Sequence, residues 1–336
     1  MMDFMQDMAS VIDFKIKPYL MKFNSFLISG VFALLVSCHS IVQTEFPDFE
    51  QEPVVNSILR AGDKIRVQLS TTKKIGNADF EFLNNAEIRV FANDEFIETL
   101  INQNDGYYVS KTIVKPQTTY TFLIEIPNFE TVTCKDSLPN VPDIIDVKHI
   151  TKAGKDEEGA YYPAVEITFK NNPDIIQRFE IDIIQQKTCY EWDTIAGDYF
   201  GYECIADMDN GLWMPDIIDP VLLNEGVDMT LFSNILITGT TYKMQINYTS
   251  GSQHGAVNGG YVEDLYPIVV ELRAVSESYY NYKKQLILHE IGNSADGIGQ
   301  SVNAIPLYSN VENGYGIVAG YSYCLTDTIT PEPYED

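Results

Sequence analysis

The chain has 336 residues, and its 48 acidic residues against 22 Lys and Arg give a formal net charge of −26 at pH 7. This charge argues against a nucleic-acid partner, because polyanion binding depends on cations that neutralise phosphates, and it also disfavours a chain that lies flat on anionic lipid. The 45% hydrophobic and 21% charged residues are typical of a globular protein and not of a disordered acidic tail. A chain of this length usually forms two domains.

An apolar run of eleven residues, 26–36, leads directly into Ser37 and Cys38. The run is too short for a permanent transmembrane helix, which needs roughly 20 apolar residues, but its length is typical of a signal peptide. The pattern predicts a lipoprotein signal in which Cys38 is acylated and becomes the first residue of the mature protein. Because two or more acyl chains anchor a protein stably, residues 38–52 are expected to tether a soluble body to a membrane.

The start of translation stays open between Met1 and Met21. Residues 1–20 carry no export feature and would bury the signal inside the chain. We therefore expect translation to begin at Met21, and we assign 1–37 to an upstream segment and the signal peptide.

Residues 53–138 alternate between apolar and polar side chains with a period of two. The segments 65–69, 86–90 and 119–126 each place their apolar side chains on one face, as half-buried antiparallel strands do. Short strands separated by Gly, Asn and Pro predict a mainly β fold, here an Ig-like or transthyretin-like antiparallel sandwich. A linker should follow at 138–142, because its two prolines cannot donate to a strand ladder.

The same alternation resumes over 143–330 and predicts a second, tandem sandwich. Its strongest segments are 165–169, 179–183, 242–248 and 268–274. A short helix should follow the last of these, because Ser276 offers an N-cap and Tyr279, Tyr282 and Leu286 are spaced for one helix face.

A long insertion, 187–240, lies between two of these strands and contains both tryptophans. Loops of this length are usually functional or disordered. Exposed Tyr and Trp rings supply large contact area at low entropic cost. We therefore predict a partner-binding surface formed by Trp192, Tyr199, Tyr202 and Trp213; the alternative is that such rings line the cores.

The chain has five cysteines, of which Cys38 is assigned to lipid. An even remainder in an exported protein permits two disulfides. Cys189 and Cys204 close a short loop and are the preferred pair, and Cys134 with Cys324 then follows by elimination. The alternative is free buried thiols that behave as small hydrophobic side chains.

Three segments in the C-terminal part match the pattern of a known family, and they are 268–274, 279–282 and 306–321. Together with the elements 86–90 and 106–108 they resemble the lipoprotein family of the Bacteroidota catalogued as domain of unknown function 4249. The resemblance covers 38–330. It implies an outer-membrane lipoprotein without catalytic residues, often encoded with TonB-dependent transporters or other barrel proteins.

Catalytic and metal-binding motifs are incomplete in this sequence. No nucleophile elbow of the G-x-S-x-G type is present. His289 and Glu290 begin an H-E-x-x-H motif, but its fifth position is Asn293. The segment 207–211 begins like a calcium loop, yet Ile218 stands where the bidentate Glu belongs. We therefore predict that the protein is not an enzyme and has neither a metal site nor a cofactor.

Three short segments match the Asp-Ser/Thr-aliphatic pattern on which bacteria of this group attach O-glycans. They are 136–138, 193–195 and 327–329. The pattern makes Ser137, Thr194 and Thr328 hypothetical modification sites.

The resemblance and the composition together predict a non-catalytic accessory or binding subunit, lipid-anchored in the outer membrane and facing the cell surface. Its partner would be an outer-membrane β-barrel that serves TonB-dependent uptake or outer-membrane protein assembly. The alternative is a free-standing surface lipoprotein that binds glycans or acts as an adhesin. The periplasmic face stays open as a location, because residues 39–44 separate Cys38 from the first acidic residue, Glu45.

Overall fold

The computed structural model describes residues 50–73, 81–208, 212, 214–250, 252–257, 260–294 and 306–332. The predicted signal peptide, Cys38 and most of the tether lie outside these residues. No helix within the described ranges has the length and apolar character needed to cross a bilayer.

The described residues are mainly β, as predicted, with nineteen strands and two helices. In chain order the elements are β1 (Pro53–Arg60), β2 (Lys64–Thr71), β3 (Glu87–Ala92), β4 (Glu95–Thr99), β5 (Ile101–Asn102), β6 (Tyr107–Ile113), β7 (Thr119–Glu125), β8 (Val132–Ser137), β9 (Ile144–Lys155), β10 (Tyr161–Lys170), β11 (Arg178–Asp193), β12 (Asp198–Ala206), α1 (Pro220–Glu225), β13 (Leu231–Ser233), β14 (Thr241–Asn247), β15 (Ser252–Val257), β16 (Gly260–Leu265), β17 (Ile268–Val275), α2 (Glu277–Ser294), β18 (Val311–Glu312) and β19 (Tyr315–Leu325).

The largest sheet has nine strands and draws them from both predicted sandwiches. Its order is β12-β11-β17-β19-β1-β2-β6-β5, and β13 pairs separately with β11. A five-stranded sheet, β18-β8-β7-β3-β4, and a three-stranded sheet, β14-β10-β9, complete the two halves, while β15 and β16 form a hairpin of their own.

Strand β19 joins the two halves of the molecule. It pairs in parallel with β1, from Val54 opposite Tyr315 to Arg60 opposite Tyr321, and antiparallel with β17. Val318 of β19 is consequently fully buried in the core of residues 55–138. The N-terminal sandwich is therefore completed by a strand from the far end of the chain, and one sheet crosses the predicted linker.

Two hydrophobic cores lie on the same face of the nine-stranded sheet. The first packs this sheet against the five-stranded one and includes Leu59 and Phe122. The second packs it against the three-stranded sheet and includes Phe169 and Ile181. Side chains alternate across a strand, so the opposite face of the nine-stranded sheet is free for other contacts.

Helix α2 occupies that opposite face in the C-terminal half. Its start at Ser276 is confirmed, because the Ser276 hydroxyl accepts a hydrogen bond from the Tyr279 N–H at 3.1 Å. Tyr279 packs with Val275 and Ile317 in a third, smaller core. The helix continues for 18 residues and is longer than predicted.

The insertion is more regular than its sequence suggests. β11 continues without interruption to Asp193 and forms a hairpin with β12. Helix α1 follows, capped by Asp219 at its start and by Gly226, with a φ of 72°, at its end. The strands escaped prediction because the outer part of the hairpin is exposed on both faces, so its apolar and polar residues do not alternate.

Candidate functional site

The outer part of the β11–β12 hairpin projects from the edge of the nine-stranded sheet. Pairing between β11 and β17 ends at Gln185 opposite Ile268. Among the described strands, only β12 pairs with β11 beyond that point, up to Asp193 opposite Asp198. We call residues 186–205 the aromatic ribbon.

A disulfide holds the aromatic ribbon together. Cys189 and Cys204 are bonded, as predicted, and their Cα atoms are 5.8 Å apart. In the strand register Cys189 lies opposite Tyr202 and Lys187 lies opposite Cys204, so the bridge is diagonal. An isolated two-stranded hairpin is only marginally stable in water. Closing a loop of this length contributes about 3 kcal/mol in the chain-entropy model.

One face of the ribbon carries Trp192 and Tyr199 directly opposite each other. Their ring centroids are 4.9 Å apart in an edge-to-face arrangement, a geometry that aromatic pairs favour. On the same face the Tyr190 ring lies over Gly201, since a Cβ at position 201 would be 3.2 Å from Tyr190 Cε1. The absence of a side chain at Gly201 thus leaves room for the Tyr190 ring to pack on the backbone.

The other face of the ribbon carries Phe200 and Tyr202, with ring centroids 6.0 Å apart. Rings therefore cover both faces of a two-stranded element. Trp192 is 50% exposed and Tyr199 is 64% exposed, and Ile195 at the turn is almost fully exposed. Contiguous apolar surface of this kind typically marks an interaction site.

Acidic residues lie on both faces of the ribbon. Glu191 and Asp198 share the face of Phe200 and Tyr202, where Glu191 is directly opposite Phe200. Glu203 lies opposite Thr188 on the other face. Lys187 is the basic residue of the ribbon. The face that carries Trp192 and Tyr199 is therefore apolar near the turn, and Glu191 lies on the opposite face.

The structure places Trp192, Tyr199 and Tyr202 together on the ribbon, while Trp213 lies outside the described residues. The partner-binding role of all four stays a prediction. The sequence interpretation missed Tyr190, Phe200 and other exposed apolar residues of the ribbon. A signal was present, because Tyr190 adjoins Cys189 and Phe200 lies between two of the selected tyrosines.

The predicted second disulfide is wrong. Cys134 and Cys324 are both free. Cys134 in β8 lies opposite Phe122 and Val311 in the five-stranded sheet, whereas Cys324 in β19 lies opposite Leu272 in the nine-stranded sheet. Burial raises the pKa of the Cys134 thiol to about 12, so this side chain behaves as a small apolar group. Pairing by elimination contains no geometric information, which is why it failed.

A buried charged network lies under α2, on the same strand β11 that continues into the ribbon. Arg273 binds three carboxylates: Glu180 at 2.8 Å, Asp182 at 2.6 Å and Glu271 at 2.7 Å. Lys283 of α2 binds Glu180 as well, at 2.7 Å. Burial alone would raise the pKa of Glu180, but Lys283 and Arg273 outweigh it and hold the pKa below its ordinary value. Because its carboxylates are paired with cations, the network connects the helix to the sheet and does not resemble an acid–base pair poised for catalysis.

The incomplete motifs do not form a site in the described residues. His289 and Glu290 lie in α2, and 209–211 of the calcium-like segment lie outside the described residues. No group of three or more His, Cys, Asp or Glu in the described ranges is arranged to hold a metal ion.

The three hypothetical glycan acceptors, Ser137, Thr194 and Thr328, are all exposed. The Ser137 hydroxyl is hydrogen-bonded to that of Thr119 at 2.6 Å. Thr194 lies in the turn at the end of the aromatic ribbon. Their modification stays a prediction.

The fold and the ribbon define a mainly β protein with a disulfide-closed aromatic hairpin at a sheet edge. The family model described as domain of unknown function (DUF4249) matches residues 40–324. The chain therefore belongs to that family, which confirms the family expected from its sequence segments. No curated protein matches the chain.

Proposed function

We propose that this chain is a non-catalytic, lipid-anchored accessory subunit that docks on an outer-membrane β-barrel through the aromatic ribbon. The observation that supports this function best is the exposure of Trp192 and Tyr199 on a preformed, disulfide-closed element. Uptake through a TonB-dependent transporter and outer-membrane protein assembly are the two processes in which such a subunit would serve.

The chemistry of the ribbon suits a stable protein contact. Aromatic side chains are enriched among the residues that dominate binding energy, especially where they are desolvated at the centre of an interface. A chain with a net charge of −26 gains little from burying its carboxylates. A contact centred on Trp192 and Tyr199 meets both conditions, because Glu191 lies on the opposite face of the ribbon.

The disulfide adds preorganisation. Ordering a flexible loop on binding costs conformational entropy, and a loop that is already ordered avoids most of that cost. The bridge between Cys189 and Cys204 holds the two strands of the ribbon in register before any partner arrives.

The location rests on Cys38. Acylation there would hold the folded body at the outer membrane, and we place it on the cell-surface side, where a barrel presents its extracellular loops. A protein confined to the membrane plane meets a barrel at a much higher effective concentration than a free one.

Co-purification tests the proposal directly. The acylated protein is isolated from detergent-solubilised outer membrane as wild type and as the double variant Trp192→Ala/Tyr199→Ala. We expect a β-barrel protein with the wild type and at least a tenfold loss of it with the variant. The matched control is Phe96→Ala/Tyr161→Ala, which removes two rings that are 56% and 48% exposed elsewhere on the molecule.

Two outcomes would contradict the proposal. Equal recovery of a barrel with both variants would place the interface away from the ribbon. Recovery of no barrel, together with glycan-array binding that depends on Trp192 and Tyr199, would favour the alternative of a free-standing glycan-binding lipoprotein.

A further inference from the structure

The N-terminal half of the nine-stranded sheet has a face that α2 does not cover. It is the face opposite the first hydrophobic core, on strands β1, β2, β6 and β5. The strand register places Gln68 beside Tyr107, Arg66 beside Val109, and Val109 beside Ile101. We call this surface the N-terminal sheet face, and its members are Asn56, Ile58, Lys64, Arg66, Gln68, Ile101, Tyr107, Val109, Lys111 and Ile113.

Apolar side chains on this face are exposed. Ile58 is 44% exposed and Ile101 is 43% exposed. Tyr107 and Ile113 are exposed as well. A single exposed apolar residue needs no explanation, but several neighbours on one sheet face typically mark a contact surface.

The charge of this face differs from that of the whole chain. Its exposed cations are Lys64, Arg66 and Lys111, and one carboxylate, Asp105, lines the same concavity. Asp63 and Asp105 lie in turns at the ends of the strands. Glu98 of the other sheet accepts hydrogen bonds from the backbone N–H groups of Lys111 and Thr112 at the margin.

The position of the tether supplies the second argument. Cys38 lies 15 residues before Pro53, where β1 begins. A chain of this length spans at most about 50 Å when fully extended. The start of β1 therefore lies within that distance of any membrane in which Cys38 is anchored.

We propose that the N-terminal sheet face lies against the anionic surface of the bilayer that holds the lipid anchor. The inference rests on the anchoring part of the proposed function, and it is independent of the ribbon. Lys64 and Arg66 face anionic headgroups, while Ile58, Ile101 and Tyr107 reach into the interfacial layer. Basic residues close to an anionic surface are attracted to it, and exposed apolar side chains gain by leaving water there.

The large negative charge disfavours broad contact of the chain with anionic lipid, but it does not prevent contact through a single face that carries cations. At physiological ionic strength the Debye length is about 8 Å, so carboxylates on the far side of the domain act only weakly on the membrane. Adjacent strands are rotated by roughly 20–25°. Helix α2 covers β19, the strand next to β1. The contact is therefore made mainly by the outer strands β2, β6 and β5, which turn progressively away from the surface under α2. A face on which lysine and arginine outnumber carboxylates is the kind of surface that an acidic protein can bring to an anionic membrane.

The test uses the acylated full chain in vesicles and a fluorescent reporter on the proposed face. Tyr107→Trp introduces an indole whose emission is quenched by brominated lipid, and the same chain without this substitution gives the background from Trp192 and Trp213. Vesicles contain phosphatidylethanolamine and phosphatidylglycerol at about 3:1, or phosphatidylcholine alone. We expect strong quenching in the first and at least a twofold decrease in the second.

Charge variants in the reporter background sharpen the test. Lys64→Gln/Arg66→Gln should reduce quenching at least twofold in the anionic vesicles. The matched control Lys135→Gln/Lys148→Gln also removes two exposed positive charges, one on the five-stranded and one on the three-stranded sheet, and should leave quenching unchanged. Thermal midpoints of all variants, measured in detergent, confirm that the fold is retained.

The failure of this inference differs from that of the proposed function. Acylation is read separately from the mass of the protein, and an unacylated Cys38 would overturn the anchoring on which both depend. An acylated chain whose reporter is unquenched in anionic vesicles would overturn the membrane contact alone. So would quenching that is equal in both lipids, or crosslinking of the face to another protein in native membrane.

Discussion

In globular proteins charged side chains are usually exposed and aromatic ones usually buried. The two halves of strand β11 show the opposite arrangement. Its inner half, residues 178–185, buries the carboxylates Glu180 and Asp182 beneath α2, whereas its outer half exposes Tyr190 and Trp192 to solvent. Ion pairs make the first arrangement tolerable and a disulfide stabilises the second. The inner half therefore stabilises the fold, while the outer half leaves its aromatic side chains exposed to solvent.

The largest effect is expected from breaking the charged network of the inner half. Arg273→Leu leaves Glu180, Asp182 and Glu271 without their shared guanidinium in a buried environment. Removing one partner of a buried ion pair typically costs about 3–5 kcal/mol. Denaturant titration should therefore show a loss of that size in the free energy of unfolding.

The control for this substitution is Arg89→Leu. Arg89 pairs with Glu125 and Glu87, whose side chains are 51% and 57% exposed, and exposed pairs contribute about 0–1 kcal/mol each. Equal losses for the two variants would mean that burial does not set the strength of the network.

Removing the disulfide tests whether the outer half of β11 can open on its own. In Cys189→Ser/Cys204→Ser the ribbon can open while the rest of the sheet stays folded, because only β12 pairs with its outer strand among the described elements. A constraint worth about 3 kcal/mol corresponds to an increase of about a hundredfold in local amide exchange. We expect this acceleration in residues 186–205, measured by hydrogen exchange with mass spectrometry, and little change in the second core.

A uniform acceleration across both halves of β11 would contradict this prediction. It would mean that the ribbon and the sheet open as one cooperative unit, and the separation of the strand into two functional halves would then fail.

The sequence predicts those parts of the fold that depend on residues close together in the chain. Strand 65–69 shows a period of two because one face is buried, and the helix start shows Ser276 as its cap. The parallel pairing of β19 with β1 joins residues more than 250 positions apart. No local pattern encodes such a pairing, so the shared sheet could not be predicted.

The candidate site could be predicted in part, because some of its residues are close together in the sequence. Cys189 and Cys204 are close in sequence, and the rings around them were recognised by type. Strand register is needed to see that Trp192 lies opposite Tyr199 and that Tyr190 covers Gly201. Cys134 and Cys324 lack a local relation, and their pairing could only be guessed.

A third, smaller effect concerns pH and lies where the N-terminal half meets α2. Burial raises the pKa of Asp136 to about 6, although the hydroxyls of Ser276 and Ser278 and the N–H groups of Ser137 and Gly320 act in the opposite direction. One of its carboxylate oxygens is buried without a hydrogen-bond partner. The protonated form is therefore favoured in the folded protein.

The direction of the pH effect follows from this pKa. Since the pKa is higher in the folded than in the unfolded chain, the stabilising contribution is fully present below about pH 4 and is lost as the pH rises through about 6. Its size is about 2–3 kcal/mol. Asp136→Asn should raise the free energy of unfolding at pH 7 and flatten its dependence between pH 4 and 7. An unchanged pH profile in this variant would contradict the assignment.

The smallest effect on stability should come from Gly201→Ala in the ribbon. The added Cβ would lie 3.0 Å from Thr188 Cγ2 and 3.2 Å from Tyr190 Cε1, so the Tyr190 ring must move. The site is exposed and far from either core, and the thermal midpoint should shift by no more than about 1 °C. Recovery of the barrel partner should nevertheless fall several-fold, because the ring arrangement on that face is disturbed.

A double-mutant cycle separates this cause from a general effect on the strand. In a Tyr190→Ala background the substitution should have little further effect, since the displaced ring is already absent. Additive losses in the cycle would mean that Gly201→Ala acts through the backbone of β12 and not by displacing the Tyr190 ring.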